Sequence, residues 1–373
     1  MKKNQLVTLG KHIDILSGCA FPSSGFNRNN GVPLIRIRDI LSGKTETYYE
    51  GSYDLKYLIK KGDLLVGMDG DFNREYWKGT DALLNQRVCK ITPNPETLDK
   101  NFLYHFLQKE LDKIHATTDV VTVKHLSVKK IQDIKIRLPS LKEQKRIAAI
   151  LDKADAIRQK REQAIKLADD FLRAKFLEMF GTPANNIHRF PKGTIRDLVD
   201  SVNYGTSAKA SIDSGEYPIL RMGNITYQGR WDFTDLKYLD LSVKEKDKYL
   251  VKEGDLLFNR TNSKELVGKT AVYEEDRPMA FAGYLIRVRP NSIGNNYYIS
   301  GYLNSIHGKI TLMNMCKSIV GMANINAQEL QNIEILIPPK HLQDEYEIIY
   351  KKIKKGLSIY DKSAMQLQLL ASN

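Results

Sequence analysis

Cysteine is scarce in this chain of 373 residues: only Cys19, Cys89 and Cys316 occur, far apart and odd in number. Such spacing makes neither a metal site nor a disulfide framework, and it reads as three reduced thiols of a cytoplasmic protein. Long hydrophobic runs are missing too. No stretch approaches the roughly 20 apolar residues that span a bilayer, and the opening MKKNQLVTLGKHIDIL lacks the apolar core of a signal peptide. A soluble chain without a membrane role is expected. Recognisable catalytic patterns are absent as well: no H-E-x-x-H, no N-P-P-Y-like adenine-methyltransferase motif, no glycine-rich cofactor loop and no Ser/His/Asp arrangement. SKELVGKT (263–270) approximates a phosphate loop, but Ser263 stands where the first glycine must let the backbone approach phosphate. The expectation is therefore no catalytic residue, no metal site and no cofactor in this chain. Acidic residues are also in deficit, 44 against 57 Lys and Arg, for a net charge of +13. That sign suits a polyanionic partner, whose counterions are released on binding, somewhat better than a surface of solvated lysines.

What is present is a duplication. GVPLIRIRDI (31–40) matches EYPILRMGNI (216–225), and YLIKKGDLLVGM (57–68) matches YLVKEGDLLFNR (249–260). CKITPN (89–94) matches IRVRPN (286–291), and IQDIKIRLPS (131–140) matches LQNIEILIPP (330–339). Four blocks in the same order, at a slowly growing offset, mark an internal repeat. Each copy ends alike, with a strand-like run, a proline and a long helical stretch, proline being tolerated in the first helical turn.

The first helix is expected from about Pro139 to Phe180. Ile150, Ala154, Ile157, Ala164, Ala168 and Phe171 recur in steps of 4 and 3, with Arg161 in one slot, as in a seam against a partner helix. The second runs from about Pro338, with Leu342, Tyr346, Ile349, Ile353, Leu357, Tyr360, Met365 and Leu369 as its stripe and Gly356 as a weak point. The simplest pairing joins the two helices antiparallel; the alternative packs each on its own domain. The globular parts alternate short strands with helices, including 101–114 and 296–310. The fold class is α+β: two similar mixed α/β domains separated by two long antiparallel, coiled-coil-like helices, with a pseudo-two-fold repeat. The expected boundaries are 1–138, 139–182, 183–337 and 338–373.

Polar segments with interleaved aromatics follow each GDLL run. Such loops carry groups that suit base edges and phosphates. The candidate contacts are Asp71, Asn73, Arg74, Tyr76, Lys78, Gln86 and Arg87 in the first copy. In the second they are Asn259, Arg260, Thr261, Asn262, Lys264 and Lys269. An ordinary solvated loop is the alternative for each. Arg36 and Arg221, at equivalent strand positions, suit either phosphate or structural ion pairs with Asp63 and Asp255, the latter preferred.

The chain resembles the specificity subunit of Type I restriction–modification enzymes. The resemblance rests on KKGDLL/KEGDLL, GDF…LNQRV, FNRTNS…LVGKTAVY, and IRLPSLKEQKRIAAILDKADAIRQKREQAIKLADDFLRAKFLEMFG between the domains. The C-terminal copy departs from it, with IPPKHLQDEYEII in place of LPSLKEQKRIA. The resemblance implies two target recognition domains, each reading half of a split double-stranded DNA site, with the helices as a ruler between them. It implies docking of two methyltransferase subunits and recruitment of restriction subunits. S-adenosylmethionine and ATP would belong to those partners. The competing readings are a stand-alone DNA-modifying enzyme and a coiled-coil scaffold that binds only proteins.

Overall fold

The computed structural model of the chain describes residues 5–118, 124–316 and 321–372; the side chains of Gln5 and of residues beyond 357 lie outside the description, and with them Tyr360, Met365 and Leu369 of the expected stripe. The chain divides into two compact units, Met1–Arg158 with Gln366–Asn373, and Gln159–Met365.

Each unit is organised by its Gly-Asp-Leu-Leu block. Gly62 and Gly254 adopt φ of +90° and +86°, a region that a Cβ disfavours. The carboxylates of Asp63 and Asp255 accept the backbone N–H of Lys60 and Lys252, each at 2.9 Å. The glycine N–H donates to the carbonyl of Trp77 in one unit and of Tyr273 in the other, each at 2.8 Å. The two turns are thus the same turn.

The strand that leaves it is central in both units. In the first, β1 (Ile13–Ser17), β2 (Leu64–Gly67), β3 (Arg74–Tyr76) and β4 (Val88–Pro93) form an antiparallel sheet in the order β1-β4-β2-β3. In the second, β5 (Val199–Tyr204), β6 (Leu256–Asn259), β7 (Thr270–Val272) and β8 (Leu285–Pro290) run β5-β8-β6-β7. Successive side chains on a strand face opposite ways. Leu64 and Val66 enter one core with Phe72 and Leu103, while Leu65 enters another with Ile35 and Trp77. Leu256 and Phe258 likewise part from Leu257. The unbroken apolar run is explained by burial on both faces.

A second sheet in each unit carries one parallel pair, Val32–Ile35 with Ala82–Leu84 and Tyr217–Leu220 with Met279–Phe281. A two-stranded ladder then pairs the start of each domain with its end, Gln5–Thr8 with Lys135–Leu138 and Lys192–Thr194 with Glu334–Leu336. The second unit adds the pair Thr261–Ser263 and Met322–Asn324, where the first has a single bridge from Asp69 to His125.

Helix α1 (Lys100–Ala116) starts at Asp99, whose side chain accepts two backbone N–H groups, and buries Leu103, Leu107 and Leu111. Helix α2 (Leu141–Phe180) is 40 residues long. The helix expected over 296–310 is instead two, α3 (Asn296–Asn304) and α4 (Ile306–Met315). Buried Ser305 separates them: its hydroxyl donates to Tyr302 O at 2.6 Å and accepts Gly308 N–H at 3.1 Å, which makes it an N-cap. Helix α5 (Lys340–Ser372) carries Gly356 in its interior.

Along α2, Ala154, Ile157, Ala164 and Ala168 are half-buried, but Ile150 and Phe171 are 42% and 49% exposed. Half-buried Leu151 and Leu172 take their places. A straight helix drifts by about 20° per heptad against a strict 3.5 repeat, so an extrapolated seam fails first at its ends. Within the second unit α2 and α5 are antiparallel neighbours. Phe176 meets Tyr346 with ring centroids 5.4 Å apart, and one cavity is lined by Asp169 and Leu172 of α2 and by Tyr350, Ile353 and Leu357 of α5. The last turns of α2 also bury Phe176 and Phe180 in that unit's core beside Tyr298.

The root of each helix is a fully buried glutamine. Gln144 donates to Thr97 O at 3.0 Å and Pro139 O at 2.9 Å, and its Oε1 accepts Asp99 N–H at 2.8 Å. Gln343 donates to Ile293 O at 2.9 Å and Pro338 O at 2.8 Å. Both lie five residues after their proline, so the C-terminal copy keeps the anchor although its surrounding sequence differs. Replacing Gln144 by Ala strands two carbonyls and an N–H, and a loss of about 3 kcal/mol is expected in urea unfolding. Gly62→Ala and Gly254→Ala meet no atom within 4 Å. Only backbone strain remains, and each is expected to cost the same amount, about 1–2 kcal/mol, in that measurement.

Candidate nucleic-acid interface

In the first unit the candidate residues lie between β2 and β4. Asp71 is exposed in a turn closed by Gly70 and by Phe72, which has φ of +52° and is buried edge-on against His115. Asn73 is half-buried, and its carbonyl accepts Gly67 N–H at 2.9 Å. Arg74 and Tyr76 lie on β3 rather than on a loop, and both are spent on α1. The Arg74 guanidinium lies 3.5 Å from the Tyr104 ring centroid, Tyr76 stacks on Tyr104 at 4.7 Å, and the Tyr76 hydroxyl donates to Lys100 O at 2.9 Å. Burial pushes the Tyr76 phenol well above its ordinary pKa and raises that of Tyr104 as well, so both stay neutral donors. Glu75 accepts the Tyr104 hydroxyl at 3.0 Å and pairs with exposed Lys78 at 3.5 Å.

Gln86 and Arg87 are exposed. They line an open concavity of about 510 Å³ with Arg36, Arg38 and Asn85. Arg87 is held by Asp69 at 3.2 Å, and Arg38 lies 3.8 Å from Asp39. The preferred pairing of Arg36 with Asp63 does not form: Lys90, one strand over, takes Asp63 at 3.1 Å. Among the described residues Arg36 has no ion-pair partner. Three guanidiniums and two amides around one concavity can bind phosphate oxygens or base edges.

In the second unit two candidates prove internal. Asn259 is fully buried, exchanging backbone hydrogen bonds with Lys269 O at 2.8 Å and Gly268 N at 2.8 Å. Lys269 is buried, its ammonium donating to Met222 O at 2.8 Å, and desolvation lowers its pKa. Both hold the base of the segment rather than lie on a solvated loop; the short strand Leu256–Asn259 runs one residue further into the core than its polar end suggests. Thr261 and Asn262 are half-buried on the added strand, opposite Asn324 and Ala323, and Lys264 is half-buried beyond it. Arg260 is half-buried, its guanidinium 4.8 Å from the Tyr204 ring centroid and 3.5 Å from Gly283 O. The expected pairing of Arg221 with Asp255 also fails. Arg221 binds Asp235 at 2.8 Å, and Asp255 is claimed by Arg289 at 2.8 Å.

The registers align the two units residue by residue. Val88 opposes Gly67, and Leu285 opposes Asn259. One step further on, Met68 N–H donates to Arg87 O at 2.9 Å, and Arg260 N–H donates to Tyr284 O at 3.0 Å. Arg87 and Tyr284 are therefore equivalent, as are Gln86 and Gly283, and Met68 and Arg260. Arg38, Asn85, Tyr204 and Tyr284 were not marked by the sequence. Alignment of the CKITPN and IRVRPN blocks extended two residues further back would have exposed the last of them.

Among the described residues no group of three or more His, Cys, Asp or Glu side chains is placed to hold a metal, and no helix is long and apolar enough to cross a membrane. The family model of the Type I restriction modification DNA specificity domain matches residues 1–167 and again 190–371. The chain is 31% identical to the Type I restriction enzyme EcoBI specificity subunit of Escherichia coli, over 92% of this chain and 77% of that one. With the EcoKI specificity subunit of E. coli K12 the figures are 24%, 86% and 75%. Its fold matches the Type-I restriction-modification system S subunit from M. genitalium with a TM-score of 0.65 at 15% identity, covering 100% of this chain and 95% of the other. A chain from structures of complex assembly and conformational transition in the type I R-M system gives 0.50 at 17%, covering 100% and 96%. The doubled domain, its shared strand order and these likenesses agree: the chain belongs to the family of Type I restriction–modification DNA specificity subunits, the non-catalytic DNA-recognition components of those complexes, which carry no catalytic cofactor of their own.

Proposed function

We propose that this chain reads a bipartite, asymmetric site on double-stranded DNA, one half with residues 1–138 and the other with residues 183–337. One observation carries the reading. The two units share a strand order but differ in side chain at the same rungs, Gln86-Arg87 against Gly283-Tyr284 and Met68 against Arg260. Equivalent platforms with different readers suit two different half-sites. The contacts assigned to DNA are Asp71, Asn73, Lys78, Gln86 and Arg87, joined by Arg36, Arg38 and Asn85, and in the second unit Arg260, Thr261, Asn262 and Lys264. Arg74 and Tyr76 shape the first surface from behind. The excess of 13 positive charges supports a polyanionic partner.

The central helix and the C-terminal helix act as the ruler and as the docking surface for two methyltransferase subunits, through which restriction subunits join the complex. S-adenosylmethionine belongs to the methyltransferase partner and ATP to the restriction partner. The assembly works in the cytoplasm.

Deleting one heptad from each long helix shortens the ruler by about 10 Å. The gap selected from a library of randomised spacers should shrink by about three base pairs, at about 3.4 Å each, with both half-sites intact. An unchanged gap rejects the ruler. DNA binding by the complex should fall about a thousandfold or more between 50 and 200 mM salt if six or more phosphates are contacted. Salt-insensitive or absent binding favours a protein-only scaffold. Transfer of labelled methyl groups by the purified chain alone would make it an enzyme.

A further inference from the structure

The rung beyond the central strand pair places an arginine in both units, but from opposite strands. In the first unit Arg87 springs from the residue before β4 and faces Met68; in the second Arg260 springs from the residue after β6 and faces Tyr284. The backbone under each runs directly into buried strand, Val88 and Cys89 in the first unit and Phe258 and Asn259 in the second, so the arginine is mounted on packed structure rather than on a free loop. Each is also aimed by a neighbour. Asp69 uses both carboxylate oxygens: Oδ1 accepts from His125 Nδ1 at 2.6 Å, and Oδ2 holds the Arg87 guanidinium at 3.2 Å. A carboxylate fixed on one side by His125 cannot rotate freely, so it restricts Arg87, whose side chain is 55% exposed. Arg260 is restricted instead by the Tyr204 ring and by Gly283 O.

We propose that Arg87 and Arg260 are specificity-determining residues that each read a guanine, one in each half-site, with Asp69 and Tyr204 as their positioning residues. This rests on the DNA-reading assignment above. A guanidinium held at one edge presents its remaining donors as a fork, which matches guanine O6 and N7 and no other base edge in the major groove. The same fork can also take two phosphate oxygens, and only base reading makes its loss change the selected sequence.

The test uses the full chain in complex with its methyltransferase partner, selecting from duplexes randomised at both half-sites. Arg87→Ala and Arg87→Lys are each expected to lower the preference for guanine at one position of one half-site roughly ten- to hundredfold. The other half-site stays unchanged, which also shows that the chain is folded. Asp69→Asn should relax that same position while Arg87 is present. Arg260→Ala should do the same in the opposite half-site only. An even loss of affinity with both motifs intact identifies phosphate contacts and overturns the proposal, as does an unchanged motif in Asp69→Asn. A wild-type complex that selects no motif overturns the DNA-reading assignment itself, and this proposal with it.

Discussion

A strand buried on both faces cannot shift without disturbing two cores at once, and that constraint underlies the rest of this molecule. Leu64, Leu65 and Val66, like Leu256, Leu257 and Phe258, alternate between separate clusters. Close-packed interiors tolerate little displacement, so the strand is a fixed platform. The turn before it is set by a glycine in the left-handed region and an aspartate that closes on the backbone. The polar segment after it inherits that fixed origin. A polar side chain mounted one residue beyond such a strand, as Arg260 is, starts from a fixed point that a loop tip lacks.

The same logic governs how the long helices leave the domains. A helix is directed by its first and last turns; the first turns of both helices are held by polar anchors, and the last turns of α2 by aromatic packing. Gln144 and Gln343 tie the helix starts to carbonyls of their own domain. His105 adds a contact to Asp152 at 2.7 Å near the start of α2. At the other end Phe176 and Phe180 are core residues of the second unit, and Asp169 is paired with Arg230.

Duplication followed by divergence is visible at the level of single rungs. The backbone hydrogen bond from Met68 to Arg87 is repeated from Arg260 to Tyr284, yet the side chains differ at both ends. Hydrogen bonds of the main chain do not depend on side-chain identity, so the platform persists while the side chains mounted on it change. Asp63 and Asp255 keep identical turn bonds while their cations differ: among the described residues Lys90 alone pairs with Asp63, whereas Asp255 takes Arg289 at 2.8 Å with Arg287, the equivalent of Lys90, 3.9 Å away.

The repeat, the mixed α+β class, the two long helices and the family were all legible in the sequence, because they rest on local periodicity and on motifs that survive as letters. The strand order, the doubly buried platform and the partners of the charged residues were not. Arg36 and Arg221 looked ready to pair with Asp63 and Asp255, but pairing depends on which strands lie side by side, and the strand neighbouring each aspartate supplied Lys90 and Arg289 instead. Asn259 and Lys269 read as loop residues because polarity signals exposure; only the packed structure buries them, by giving their backbone and ammonium groups internal partners. Ser305 ended a helix that periodicity carried through, since one side-chain cap outweighs a weak periodic signal. Sequence determined what each segment is, because that is decided within a few residues; tertiary structure decided which side chains meet, because that depends on contacts between residues far apart in the chain.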